Sequence, residues 1–282
     1  MPLLVFLAKS FYCLSSYAFK YIDIKSIEKF KKTIFTLIKN TLSYMSFYRF
    51  ELFPQKLNTQ QRLIVSNNTP FYDRLSSANK KYFEHRIVRF IEKHSFIGRE
   101  GVEITEEMKL LISATAIKLT FGYRKYLFSM VDRIIIYPKD YFSVIGNQQH
   151  KGETNPKYKT VVFSWKDFKE GIKIENDNLN LGLHEFTHAM HFSFLSEGSS
   201  SARYFKRNYQ SLLDLLKDVK VQKALINTGY LRQYAFENKY EFLAVLVEHF
   251  FETPEEFQTK LPEIYRQMQQ VLNLDSNRLF NK

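Results

Sequence analysis

Residues 181–192 read Leu181-Gly182-Leu183-His184-Glu185-Phe186-Thr187-His188-Ala189-Met190-His191-Phe192, an apolar run interrupted by three histidines and one glutamate. Asp177, Asn178 and Asn180 stand just before it as helix caps. On an α-helix, residues four apart lie one turn apart on one face, so His184 and His188 project together and can hold one zinc ion between them. Glu185 is turned by about 100° around the axis, which places its carboxylate beside a metal rather than among its ligands. Phe186 and Met190 face the other way and anchor the helix in a core. One segment therefore supplies two candidate ligands, a candidate base and a packing surface.

His-Glu-x-x-His arises by chance in about one in a hundred chains of this length. An ordinary buried helix whose histidines bond polar neighbours is spelled the same way. A third ligand is needed to separate the two readings, and a second helical run offers one. Asn238 and Glu237 precede Tyr240-Glu241-Phe242-Leu243-Ala244-Val245-Leu246-Val247-Glu248-His249-Phe250-Phe251. Glu241 and Glu248 are seven residues, or two turns, apart and share a face, while Phe242, Val245, Leu246 and Phe250 pack elsewhere. A carboxylate on so apolar a helix is costly to bury unpaired. Coordination of a metal by one and support from the other would compensate; a partly solvated face carrying both is the alternative.

The remaining sequence bounds the scaffold. With 282 residues and 45% hydrophobic content, the chain has enough material for a substantial core, and 27 Phe and 18 Tyr against only 9 Gly and 7 Pro favour long helices. The predicted fold class is α+β, mainly helical with a small sheet. A helix is expected from about Asn79 to Lys93 behind Ser76 or Ser77. Another follows Thr105, Glu106 and Glu107 and runs toward a stop at Gly122. Val131 to Tyr137 and Thr160 to Trp165 read as strands, with a loop between them containing Gly146, Gly152 and Pro156; Gln55 to Pro70 reads as a linker or loop. The expected division is a helical appendage over residues 1–55 and a catalytic domain over 56–282.

Cys13 is the only cysteine, so no disulfide forms within the chain and thiolate metal sites are excluded. The net charge of +12 comes from dispersed lysines without any zinc-finger, basic-zipper or RNA-recognition pattern, so direct nucleic-acid binding is not expected. Leu3 to Phe19 is apolar but carries Lys9, and it matches neither a secretory leader nor a spanning helix. The expected location is cytoplasmic, with membrane contact through residues 1–20 as the other reading.

Residues 70–265 resemble the Mlc titration factor A family of bacterial zinc metallopeptidases, itself similar around the active site to anthrax lethal factor. The resemblance is carried by Arg133-Ile134-Ile135-Ile136-Tyr137-Pro138, Val161-Val162-Phe163-Ser164-Trp165, His184-Glu185-Phe186-Thr187-His188, and Glu241-Phe242-Leu243-Ala244-Val245 with Glu248-His249-Phe250-Phe251. It implies a zincin-like domain that binds Zn2+ through His184, His188 and Glu241, with Glu185 as the catalytic carboxylate and Glu248 outside the ligand set. It further implies that Tyr234, seven residues before Glu241, stabilises an oxyanion, and that the strand from Thr160 to Trp165 lies beside the site and pairs with an extended substrate.

The implied activity is aminopeptidase-like hydrolysis of peptides or proteins. The implied alternative is a zinc-containing binding protein that sequesters a transcriptional repressor. One departure is His191, where the family usually has an aspartate; it is expected either to support the site or face the substrate, or to lie on the surface.

Overall fold

The computed structural model describes residues 54–143 and 148–275. The expected appendage and the apolar segment near the amino terminus fall outside them, apart from Pro54 and Gln55. No helix among the described residues is long and apolar enough to cross a membrane.

The described chain begins with α1 (Thr59–Asn68), α2 (Pro70–Arg74) and α3 (Ser77–Lys93), and α4 (Glu106–Thr120) follows the strand β1 (Ser95–Gly98). A helix at α1 corrects the expectation of a loop over residues 55–70. Asn58 and Gln61 form a reciprocal capping box, with Asn58 Oδ1 accepting from the Gln61 amide at 2.9 Å and Gln61 Oε1 from the Asn58 amide at 2.8 Å. The polar residues that resembled a linker are therefore a helix start and an exposed helix face. Ser76 caps α3 and Thr105 caps α4, as the sequence indicates.

Five further strands follow: β2 (Arg133–Tyr137), β3 (Tyr141–Ser143), β4 (Gln148–His150), β5 (Gly152–Asn155) and β6 (Thr160–Ser164). The main sheet has the order β1-β2-β6-β5. β1, β2 and β6 run parallel, while β5 is antiparallel to β6, with Thr154 opposite Val161. β3 and β4 form a separate antiparallel ribbon. The expected loop between residues 138 and 159 thus contains three short strands, β3 too short and β4 and β5 too polar to give a strand signal. β6, expected beside a substrate, is paired on both sides and buried; the outer strand on its side of the sheet is β5, and β1 is the other edge.

The helical half comprises α5 (Trp165–Lys173), α6 (Leu181–Ser196), α7 (Ser200–Leu215), α8 (Val219–Thr228), a 3-10 turn (Gln233–Phe236), α9 (Lys239–Glu252), α10 (Pro254–Lys260) and α11 (Pro262–Leu272). α6 is buried along most of its length, with apolar residues on more than one face. It packs against α4, α7, α9, β5 and β6. Phe186 lies at the centre of an aromatic cluster, 5.4 Å from Phe128, 5.3 Å from Phe163 and 5.9 Å from Phe90 between ring centroids. Edge-to-face and offset contacts of this kind fix both the depth and the rotation of α6. Gly182 lets its first turn approach α5 closely, since a Cβ there would fall 2.5 Å from Phe168 Cε2. The fold is α+β and mainly helical, as the composition indicates.

Candidate active site

Asn180 starts α6 by accepting from the Leu183 amide at 3.0 Å, while its own amide donates to Gly171 O at 2.6 Å and to Glu252 Oε1 at 3.0 Å. The helix that carries His184 is thereby fixed at its first turn to α5 and α9. Asn238 starts α9 in the same way, accepting from the amides of Tyr240 and Glu241 at 2.8 and 3.1 Å. Glu241 therefore occupies the first turn of α9, where the helix dipole favours a negative charge.

The packing of α6 on α9 brings the three predicted ligands together. His184, His188 and Glu241 each present a ligand atom, all within 4.8 Å of one another. His184 Nε2 and His188 Nε2 are 3.2 Å apart, and Glu241 approaches the same nitrogens at 2.9 and 3.4 Å. Zinc bonds of about 2.0–2.1 Å in tetrahedral geometry separate ligand atoms by about 3.3 Å, which these spacings match. The donors converge on a point rather than on each other. Glu241 Oε2, although 2.9 Å from His184 Nε2, is buried without any hydrogen bond, because the contact lies outside hydrogen-bond geometry. Such an orphaned buried oxygen is what a cation would satisfy.

The electrostatics agree. Burial lowers the basicity of His184, but contacts with the Glu241 and Glu248 carboxylates outweigh it and raise the imidazole to about 10. Burial acts to raise the pKa of Glu241, and the two imidazoles overcome it, holding the carboxyl well below the usual range. Both directions describe a centre that stabilises positive charge. The residues present therefore fit a divalent metal with nitrogen and oxygen ligands.

Glu248 lies two turns after Glu241 on α9, buried to 1% exposure, and its Oε1 accepts from His184 Nδ1 at 2.8 Å. That bond places the proton on Nδ1 and leaves the Nε2 lone pair directed at the centre. Of the two carboxylates the sequence aligned on one face, Glu241 joins His184 and His188 in the candidate ligand group, and Glu248 bonds the far nitrogen of His184.

Glu185 is 6% exposed and is held from β5: Thr154 Oγ1 stands 2.8 Å from Glu185 Oε2 and 2.9 Å from the Glu185 carbonyl oxygen. Tyr234 sits on the 3-10 turn, 41% exposed, with its ring centroid 5.8 Å from that of His184. Burial, followed by the charges of Glu241, Glu237 and Glu185, pushes its phenol well above the ordinary value of 10, so it keeps its proton. His191 is not on the surface, nor does it reach the metal group. It is 1% exposed in an aromatic box with ring centroids 4.6 Å from Tyr209, 5.0 Å from Tyr240 and 5.6 Å from Phe205, and burial pulls its basicity down to about 4. Its place on the third turn of α6 faces α7, where an imidazole fills space as a neutral ring.

Three contributors carry no motif. Thr154 lies in a polar stretch without recognisable periodicity, and Gly152 shows its role only when a Cβ is placed there. Such a Cβ would fall 2.7 Å from Leu181 Cδ1 and 2.8 Å from Glu185 Cγ and Oε1. Arg232 donates to Glu248 Oε2 at 2.5 Å. The one sequence signal for it is the need of a buried carboxylate on an apolar helix for a countercharge.

A cleft of about 440 Å3 opens beside the metal group, lined among others by Gly152, Glu170, Asp177, His184, Glu185 and Tyr234. Residues 47–272 match the family described as glucose-regulated metallo-peptidase M90. The chain is also similar to an uncharacterized protein of Synechocystis sp., 24% identical over 248 residues that make up 80% of this chain and 87% of the relative.

Proposed function

We propose that this chain, which belongs to the glucose-regulated metallo-peptidase family M90, is a zinc-dependent peptidase of the glutamate-zincin type acting on the amino-terminal end of peptides. The observation that carries the proposal is the convergence of His184, His188 and Glu241 with the Glu185 carboxylate beside them. Two imidazoles and one carboxylate, with no thiolate, form the ligand set of a catalytic zinc that keeps a position open. Zinc held there supplies Lewis acidity toward the scissile carbonyl and lowers the pKa of water near neutral pH.

The chain's own residues supply the rest. Glu185 takes the proton of the attacking water and passes it to the leaving nitrogen, and Thr154 holds its carboxylate in line for both transfers. The Tyr234 phenol, kept protonated by its surroundings, donates to the oxygen that gains negative charge. β5, the outer strand of the sheet next to Glu185, offers its backbone to an extended substrate. Glu170 and Asp177 line the cleft and suit the ammonium of a free amino terminus. No residue of the site favours the alternative of a protein that sequesters a repressor.

Zinc analysis combined with hydrolysis assays on wild type and Glu185→Gln tests the proposal. The expected result is about one zinc per chain in both proteins, with turnover reduced by about a thousandfold or more in the variant. Absence of zinc from the wild-type protein, or equal turnover of the two proteins, refutes it. Peptides with free and acetylated amino termini separate aminopeptidase from endopeptidase action: blocked substrates should be cut far more slowly.

A further inference from the structure

Glu248 is the most deeply buried carboxylate around the metal group, and its two oxygens are divided between two partners. Oε1 receives His184 Nδ1 at 2.8 Å, and Oε2 receives Arg232 Nη1 at 2.5 Å. A carboxylate at 1% exposure requires a countercharge. The imidazole that ligates a metal through Nε2 offers only a neutral N–H, so Arg232 supplies the cation. The same Nη1 also donates to Asn178 O at 2.5 Å, two residues before the Asn180 cap of α6. Asn178 is itself held on α9, where its Oδ1 accepts from Thr253 Oγ1 at 2.7 Å. The guanidinium carbon lies 5.8 Å from the ring centroid of Tyr234. One side chain thus touches the support of a metal ligand, the entry to the metal helix, and the ring assigned to the oxyanion.

We propose that Arg232 is a positioning residue that fixes the His184 imidazole for metal binding through Glu248 and, by the same ion pair, anchors the turn that carries Tyr234. Without it, Glu248 loses the partner that holds its second oxygen and is free to rotate, so His184 Nδ1 loses a fixed acceptor. The turn from Gln233 to Phe236, which also packs on α9 through Phe236 and Phe242, loses its ionic tie to that helix at the same moment. Ligand orientation and oxyanion donor therefore share one contact. This inference rests on the zinc-peptidase function proposed above.

The test uses the full chain as wild type, Arg232→Met and Arg232→Lys, each confirmed as folded by circular dichroism. Zinc affinity is measured by competition with a chromogenic chelator, with zinc alone as probe. Arg232→Met should bind zinc about 10- to 100-fold more weakly, the range typical of lost outer support for a ligand. Arg232→Lys, which retains the charge, should recover affinity to within about threefold of wild type and serves as the folded comparator if the Met variant is unstable. In hydrolysis, Tyr234→Phe should lower kcat by about tenfold or more in the wild-type background and by less than about threefold in the Arg232→Met background, since the tyrosine is already displaced there.

Unchanged zinc affinity in Arg232→Met, or a Tyr234→Phe effect of equal size in both backgrounds, overturns the inference and leaves the peptidase function intact. If Arg232→Met does not fold, a zinc affinity of Glu248→Gln equal to that of wild type overturns it. A wild-type protein that binds no zinc refutes the peptidase proposal itself, and the inference with it.

Discussion

Thr154 Oγ1 lies 2.8 Å from Glu185 Oε2, so a hydroxyl from the outer strand of the sheet holds the carboxylate assigned to proton transfer. The strand and the metal helix are in turn kept at this distance by Gly152, where a Cβ would press on Glu185 Cγ and Oε1 at 2.8 Å. Thr154→Val should lower kcat by about tenfold with little change in KM, because it removes one hydrogen bond and leaves the shape intact. Gly152→Ala should be worse, with a loss of about a hundredfold, since it displaces the carboxylate itself. Steady-state kinetics on both variants, with zinc content measured in parallel, checks the order.

Tyr234 is outside the converging ligand group, so its loss should separate chemistry from metal binding. Tyr234→Phe is expected to keep full zinc occupancy and to lower kcat by about ten- to a hundredfold, the effect of removing one oxyanion donor. Loss of zinc in this variant would show that the ring serves the metal rather than the transition state.

Glu241 is the one member of the candidate ligand group that comes from α9, so metal binding there should tie α6 to α9. Chelation of the wild-type protein should lower its melting temperature. With free zinc at a thousandfold over its dissociation constant, the bound metal contributes about 4 kcal/mol. Glu241→Gln should lose most of that difference, so its melting temperature should respond little to chelator in differential scanning fluorimetry.

His94 closes the carboxyl end of α3, stacked on Phe90 with ring centroids 4.0 Å apart. Its Nδ1 donates to Phe90 O at 2.8 Å and its Nε2 is buried without a partner. Burial lowers it from its ordinary 6.5 to about 4. The folded protein thus holds the neutral form, while the unfolded chain takes up a proton from about pH 6.5 downward. The associated stability is fully present above pH 6.5 and is lost as the pH falls toward 4, by on the order of 3 kcal/mol at most. Urea unfolding of wild type and His94→Asn at several pH values should show a shallower decline for the variant over that interval.

The contrast between the metal helices and the sheet region shows which physics is legible in a sequence. His184 and His188 stand out because a helix converts a spacing of four into a shared face, and Glu241 and Glu248 because charges on an apolar helix need a reason to be there. The aromatic packing of Phe186 follows from the same periodicity. β4 and β5 are hidden because strands of three or four polar residues have no alternation to display, and their pairing depends on partners distant in the chain. The choice of β5 rather than β6 as the outer strand is a matter of topology, which the strand sequences do not encode. His191 is misleading for a related reason: its neighbours Phe205, Tyr209 and Tyr240 come from two other helices, so its burial is set by tertiary packing alone.

Substrate pairing with β5 at the rim of the sheet, as proposed, would also limit which molecules can be cut. A strand edge offers amides and carbonyls at fixed intervals, and only a chain lying straight alongside can meet them in register. A helical or knotted-up segment keeps those groups for itself and gains nothing by approaching. The protein would therefore screen its targets by conformation before any side chain is read: frayed ends and unfolded tails pass, and compact domains are ignored until something loosens them.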